Sequence, residues 1–94
     1  MVNASNRALI VTEASMGIGL ALAVGLAQEG FNLVLNARSR DLLEAVANEC
    51  RDRGVEARTV PGDVSLPETV LQCVSKAEAT GDMFGFIHVA GVLY

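Results

Sequence analysis

Lysine is almost missing from this chain. Lys76 is the only one among 94 residues, and seven basic against eleven acidic side chains leave a net charge of −4. Nucleic-acid binding calls for a basic stripe that can neutralise phosphates, so that partner class is set aside. Cysteine is scarce as well. Cys50 and Cys73 have no CxxC spacing and no histidine close in sequence, which reads as two reduced, half-buried thiols of a cytoplasmic protein rather than a disulfide or a metal site. No apolar run is long enough to span a bilayer. The polar start, Met1 to Arg7, lacks a basic segment and a small-residue cleavage site, so neither a membrane anchor nor a signal peptide is expected. Internal repeats, low-complexity segments and linkers are lacking too.

What the chain does have is hydrophobic residues, 51% of the total, in an alternating pattern. Ala8–Thr12 is a short β-rich run. From Gly17 the period changes to that of a small-residue helix carrying Ile18, Leu20, Ala21, Ala23, Val24 and Ala27 and stopping at Gly30. Asn32–Ala37 reads as a second buried strand. Ser39 is placed to cap a helix from Arg40 to Arg53 with Leu42, Leu43, Val46, Ala47 and Cys50 on one face. Glu56–Val60 is a third strand. Ser65 is the expected cap of a third helix, with Pro67 in its first turn, Glu68 completing a capping box, and Val70, Leu71, Val74 and Ala77 as its apolar stripe. Phe84–Val89 is a fourth strand. Strands alternating with helices imply βαβ units and a parallel sheet. Right-handed crossovers then predict a partial Rossmann, doubly wound α/β fold over residues 1–94, with four strands in the order 3-2-1-4 and three helices. Two helices would cover one face and the third helix the other, which separates the two cysteines.

The turn after the first strand carries the chemistry. It runs Thr12, Glu13, Ala14, Ser15, Met16, Gly17, Ile18, Gly19 and enters a helix directly. A helix start offers unpaired N–H groups and a positive dipole end, where a pyrophosphate can sit if side chains leave the backbone open. Gly17 and Gly19 meet that need, one by close approach and one by tight helix–strand packing.

This turn resembles that of the short-chain dehydrogenase/reductase family, which reads T-G-x-x-x-G-x-G. Asn36-Ala37-Arg38 is similar to the end of strand two in NADP-dependent members. Asp63-Val64 resembles the acidic residue and its neighbour that meet the adenine ring, and Ala90-Gly91 resembles the end of the N-N-A-G motif. The four matches occur in order across the chain. They imply a dinucleotide cofactor held by Thr12, Ser15, Met16, Gly17, Ile18 and Gly19, by Arg38 and Ser39, by Asp63 and Val64, and by Ala90 and Gly91. An acidic residue at the end of strand two would hold a ribose 2′-OH; here Ala37 stands there and Arg38 follows, able to grip a 2′-phosphate with two hydrogen bonds. NADP(H) is therefore expected over NAD(H), against the plainer reading of Arg38 as a solvated residue at a helix start. Met16 occupies a position where many NADP-dependent relatives carry a second basic residue.

Three positions depart from the family. Glu13 replaces the first glycine of the turn. At an effective dielectric near 20 and ~6 Å, a carboxylate repels each phosphate charge by ~3 kcal/mol before screening, and a positive φ would add about 1–2 kcal/mol. Weakened cofactor binding is the expectation; an outward-turned or protonated Glu13 is the alternative. His88-Val89 stands where the family has two asparagines, and His88 reads as a structural residue. Finally, the family exchanges a proton with its substrate through a tyrosine and lysine spaced Y-x-x-x-K. Tyr94 is the only tyrosine and Lys76 lies upstream, so no catalytic residue is assigned. The chain alone is expected to be inactive: the NADP(H)-binding half of an oxidoreductase, truncated before its chemistry. The second reading is a non-catalytic nucleotide-binding or dimerisation module. In either case an exposed strand four and a partly bare sheet face predict self-association or aggregation.

Overall fold

The computed structural model describes residues 6–89; Ala90, Gly91 and Tyr94 lie outside the described residues. The chain alternates β1 (Arg7–Val11), α1 (Gly17–Gln28), β2 (Asn32–Ala37), α2 (Arg40–Arg51), β3 (Ala57–Pro61), α3 (Pro67–Thr80) and β4 (Asp82–Ile87). All pairings are parallel and the sheet order is β3-β2-β1-β4, as the βαβ pattern implies. β2 is buried at every position, because helices cover both of its faces. That is why it reads as a continuous apolar run instead of an alternating one.

Two separate cores flank the sheet. On one face Leu9, Val11, Leu33, Leu35 and Ala57 meet Ala23 and Ala27 of α1 and Leu43, Val46, Ala47 and Cys50 of α2. On the other, Ala8, Ile10, Val34 and Val60 meet Cys73 and Ala77 of α3. Each fully buried leucine contributes roughly 1.5–3 kcal/mol. The cysteines fall in different cores and both are free. They are fully buried rather than half-buried, since each sits where its helix touches the sheet.

The helix faces differ from the expected stripes. The row α1 buries is Gly19, Ala23 and Ala27, an i, i+4, i+8 line of small residues that brings the helix close to the sheet. Ile18 and Ala21 stand outside it and are exposed. In α3 the buried line is Thr69, Cys73, Ala77 and Thr80, which leaves Leu71 68% exposed. In α2, Leu43 faces the sheet while Leu42 turns outward.

Ser39 caps α2 as expected, its hydroxyl oxygen accepting from the Leu42 N–H at 3.3 Å. Ser65 does not cap α3. The helix starts one residue later, with Leu66 at the cap position, Pro67 first inside and no side-chain cap. The Ser65 N–H instead goes to Asp63 Oδ1 at 2.9 Å, so the capping box with Glu68 does not form. β4 begins at Asp82, two residues before the expected Phe84, because Asp82 already pairs with Arg7. The ladder then skips Phe84, which bulges out. It lies under the Arg7 guanidinium at 4.6 Å and stacks on Phe31 at 5.6 Å. As the edge strand, β4 leaves Met83, Phe84 and Phe86 exposed by 40%, 52% and 37%.

Candidate functional site

Parallel strands deliver the loops after β1, β2, β3 and β4 to one edge of the sheet. The chain order reverses between β1 and β4, and crevices at such a reversal are where open α/β sheets hold ligands. A cleft of about 490 Å³ lies there. Glu13 lines it from the first turn, Arg38 from the end of β2, Asp63, Val64 and Ser65 from the β3–α3 loop, and His88 and Val89 from beyond β4.

The first turn is held from behind. Thr12 is fully buried. Its N–H donates to Ile87 O at 3.1 Å, its Oγ1 accepts the Val89 N–H at 3.0 Å, and the same Oγ1 is hydrogen-bonded to His88 Nδ1 at 3.0 Å. The hydroxyl expected to face a cofactor is thus engaged in joining β1 to β4, and Thr12 sits behind the turn rather than on the cleft wall. His88 takes part in the same junction. On the other flank the Ala14 N–H donates to Asn36 O at 2.9 Å and ties the turn to β2.

Between these anchors the backbone takes an uncommon path. Glu13 has φ +52, the only non-glycine with positive φ among the described residues. A Cβ added to Gly19 would lie 1.9 Å from Glu13 O. The helix therefore packs directly on the turn's carbonyl, and Gly19 is the close-packing glycine. Gly17, with φ +59, faces open space with no atom within 4 Å of a Cβ built there. Met16 precedes α1 in extended conformation without a side-chain cap, and no acidic residue stands in the first helical turn. Ser15, Met16, Gly17, Ile18 and Gly19 do not line the cleft itself; they form the approach to the α1 N-terminus.

The far wall is built by β2 and β3. Buried Asn36 donates from Nδ2 to Val60 O at 2.9 Å and to Gly62 O at 3.1 Å, fixing the exit of β3 beside the end of β2. Its Oδ1 has no partner. Asp63 then closes a two-residue turn onto Ser65. Hydrogen bonds from the Ser65 side chain and N–H, with a smaller contribution from the Arg38 guanidinium, hold the Asp63 carboxyl below the usual range. Arg38 Nη2 stands 3.8 Å from Asp63 Oδ1 and is 76% exposed. Ser39 Oγ is occupied as an acceptor by Leu42 N–H, so its O–H remains free to donate.

The structure therefore brings Arg38, Asp63 and Val64 into one cleft. It adds Glu13, Ser65, His88 and Val89, which sequence reasoning did not assign to ligand contact. The D-x-S spacing of Asp63 and Ser65 was the available signal for Ser65, since an aspartate commonly accepts the N–H two residues on. Among the described residues there is no group of acidic, histidine and cysteine side chains able to hold a metal ion, and no helix long and apolar enough to cross a membrane.

Residues 7–94 match the family described as short chain dehydrogenase. A 3-oxoacyl-(acyl-carrier-protein) reductase of Aggregatibacter actinomycetemcomitans is 40% identical over 86 residues, 89% of this chain and 36% of that protein. Versicolorin reductase of Emericella nidulans is 36% identical over 81 residues, 85% of this chain and 30% of that protein. Among solved structures, L-sorbose reductase of Gluconobacter frateurii, complexed with NADPH and L-sorbose, superposes with a TM-score of 0.81 at 35% identity, covering 94% of this chain and 34% of that one. A metagenomic short-chain oxidoreductase in complex with NADP gives 0.82 at 34% identity, covering 94% and 40%. The chain thus spans about a third of the length of its curated relatives.

Proposed function

Since the chain belongs to the short chain dehydrogenase family, we propose that its cleft binds NADP(H), and that these residues form the dinucleotide-binding part of an oxidoreductase acting on carbonyl or alcohol groups. The observation that carries the preference for NADP(H) is Arg38. It follows a strand end that lacks the acidic residue suited to a free ribose 2′-OH, and it opens on the same cleft as Asp63 and Val64. The bound NADPH and NADP of the two structural relatives support this reading. The nicotinamide would supply a hydride; the residues here bind and orient. Gly17 leaves the α1 N-terminus open to a pyrophosphate, and Ser39 adds a hydroxyl donor beside Arg38. No Y-x-x-x-K pair occurs among the 94 residues, so the role assigned to these residues is cofactor binding.

Glu13 fits the cofactor poorly. The α1 N-terminus offers an anion about 0.3–1 kcal/mol, at most ~2. A carboxylate ~6 Å away opposes each phosphate charge by ~3 kcal/mol before screening. On this reading the unscreened repulsion exceeds the attraction of the helix dipole, and Glu13 weakens NADP(H) binding. Calorimetric titration of the chain with NADPH and NADH tests the assignment. Arg38→Ala should weaken NADPH by about 10–100-fold, the worth of a charge-assisted hydrogen bond, and leave NADH unchanged. NADH binding tighter than NADPH would refute it.

A second reading, a module that associates through β4, is favoured by the exposed Met83, Phe84 and Phe86 on that edge. The two buried free thiols suit a reducing compartment such as the cytoplasm.

A further inference from the structure

We propose that the preferred occupant of this cleft is a nucleoside monophosphate carrying its phosphate on the ribose 2′ position, and that each phosphate added on the 5′ side weakens binding. The inference rests on the reading of Arg38 as the 2′-phosphate receptor and adds a role for Glu13 as a filter against the rest of the dinucleotide.

Four observations lead there. Arg38 and Glu13 line the same cleft from different turns, so a ligand long enough to reach from the end of β2 to the first turn meets both charges. The cleft, about 490 Å³, sits in the lower part of the roughly 300–1,000 Å³ typical of small-molecule sites and suits a mononucleotide. The Glu13 backbone cannot retreat. Its carbonyl is packed on Gly19, and its neighbour Ala14 is buried and hydrogen-bonded to β2. Among the described residues its carboxylate takes part in no ion pair; Arg38 and Arg51 pair with Asp63 and Glu44. Glu13 stands in the turn that leads into α1 and lines the cleft, so a pyrophosphate at the α1 N-terminus would have a carboxylate as a neighbour. The base, the ribose and a 2′-phosphate on Arg38 need not approach it.

An ordinary pyrophosphate site ranks ligands by how many of its contacts they fill, so adding the 5′-phosphates tightens binding. Here the order inverts. Calorimetric titration of the full chain, with circular dichroism to establish that it is folded, should give adenosine 2′-monophosphate the tightest binding. Adenosine 2′,5′-bisphosphate should follow and NADPH should bind weakest. Glu13→Gln keeps the side-chain size and removes the charge. It should tighten NADPH by about tenfold or more while changing adenosine 2′-monophosphate less than about twofold. Should NADPH bind wild type more tightly than adenosine 2′-monophosphate, the filter is wrong and the NADP(H) reading survives. Should adenosine 2′-monophosphate bind no better than adenosine 5′-monophosphate, or not at all to folded chain, the Arg38 reading fails and the filter with it.

Discussion

Three glycines of α1 make opposite demands on a methyl group, and alanine scanning of them tests the packing account quantitatively. At Gly19 the added carbon would stand 1.9 Å from Glu13 O, 2.7 Å from Glu13 C and 3.1 Å from Ala14 Cα, all backbone. Reaching a normal C···O approach of ~3.3 Å means opening the contact by roughly 1.4 Å. Neither side can yield freely. The turn is fastened by the Ala14–Asn36 bond, and the helix by the buried Ala23 and Ala27. Overpacking of this kind costs ~1–3 kcal/mol. Losing the Ala14–Asn36 bond would add about 1 kcal/mol.

At Gly17 the space is open but φ is +59, so alanine costs about 1–2 kcal/mol of left-handed strain. Gly25 lies inside the helix with nothing within 4 Å of its Cβ position. Alanine there should stabilise by roughly 0.5–1 kcal/mol. The full spread is therefore about 4 kcal/mol, against a total stability of roughly 5–14 kcal/mol for a chain of this length. Urea unfolding of the full chain, followed by far-ultraviolet circular dichroism, reads it directly. With a slope of about 1–2 kcal/mol per molar urea, the midpoints should separate by about 2 M or more, in the order Gly25→Ala, wild type, Gly17→Ala, Gly19→Ala. Equal loss at Gly17 and Gly19 would refute the close approach of helix and turn, and any loss at Gly25 would contradict the open space around it.

Burial raises the pKa of both Cys50 and Cys73, so neither thiol should react with a thiol reagent at neutral pH until urea unfolds the chain; rapid labelling of native protein would contradict the two-core packing. Glu44 is held below the usual carboxylate range, chiefly by the Thr59 hydroxyl at 2.5 Å and with help from Arg51, against opposing desolvation. Its folded pKa is depressed, so its contribution is present above the unfolded pKa and lost as pH falls through the folded one. Since it is substantially exposed, the effect is small. Glu44→Gln should flatten the acid limb of the stability curve slightly, and an unchanged acid limb would show that the Thr59 bond contributes nothing. On the reading that the chain associates through β4, replacing both Phe84 and Phe86 with lysine should lower self-association in sedimentation, since charge on an edge strand opposes pairing; unchanged association would remove β4 as the contact.

The fold was legible because hydrophobic period switches wherever the chain changes element, and β2, covered on both faces, shows as one unbroken apolar run. Helix faces were less so. Leu71 and Ile18 fit an apolar stripe, but the sheet takes the small rows Thr69-Cys73-Ala77 and Gly19-Ala23-Ala27, because close approach of a helix to a sheet rewards small residues over large ones. Local pattern carries no information on that distance. The cleft was half legible. Arg38 and Asp63 stand out by type and position, and Ser65 follows from its local turn onto Asp63, whereas His88 and Asn36 join the site through bonds between segments distant in sequence.

Glu13 shows how the two kinds of information combine. Its identity marks a departure from the glycine of related turns but leaves open whether the turn has been rebuilt around it. The value of φ, +52, decides the matter. The residue occupies the left-handed region that a glycine enters without strain, and Gly19 still packs on its carbonyl. The path of the turn therefore accommodates glycine, and the glutamate brings left-handed strain and a negative charge on the cleft wall. The two are separable: Glu13→Gln removes only the charge, and Glu13→Gly removes both. If NADPH binding recovers equally in the two variants, charge alone was the obstacle. If it recovers only with glycine, the obstacle is strain or the bulk of the side chain, and the electrostatic account of the site is wrong.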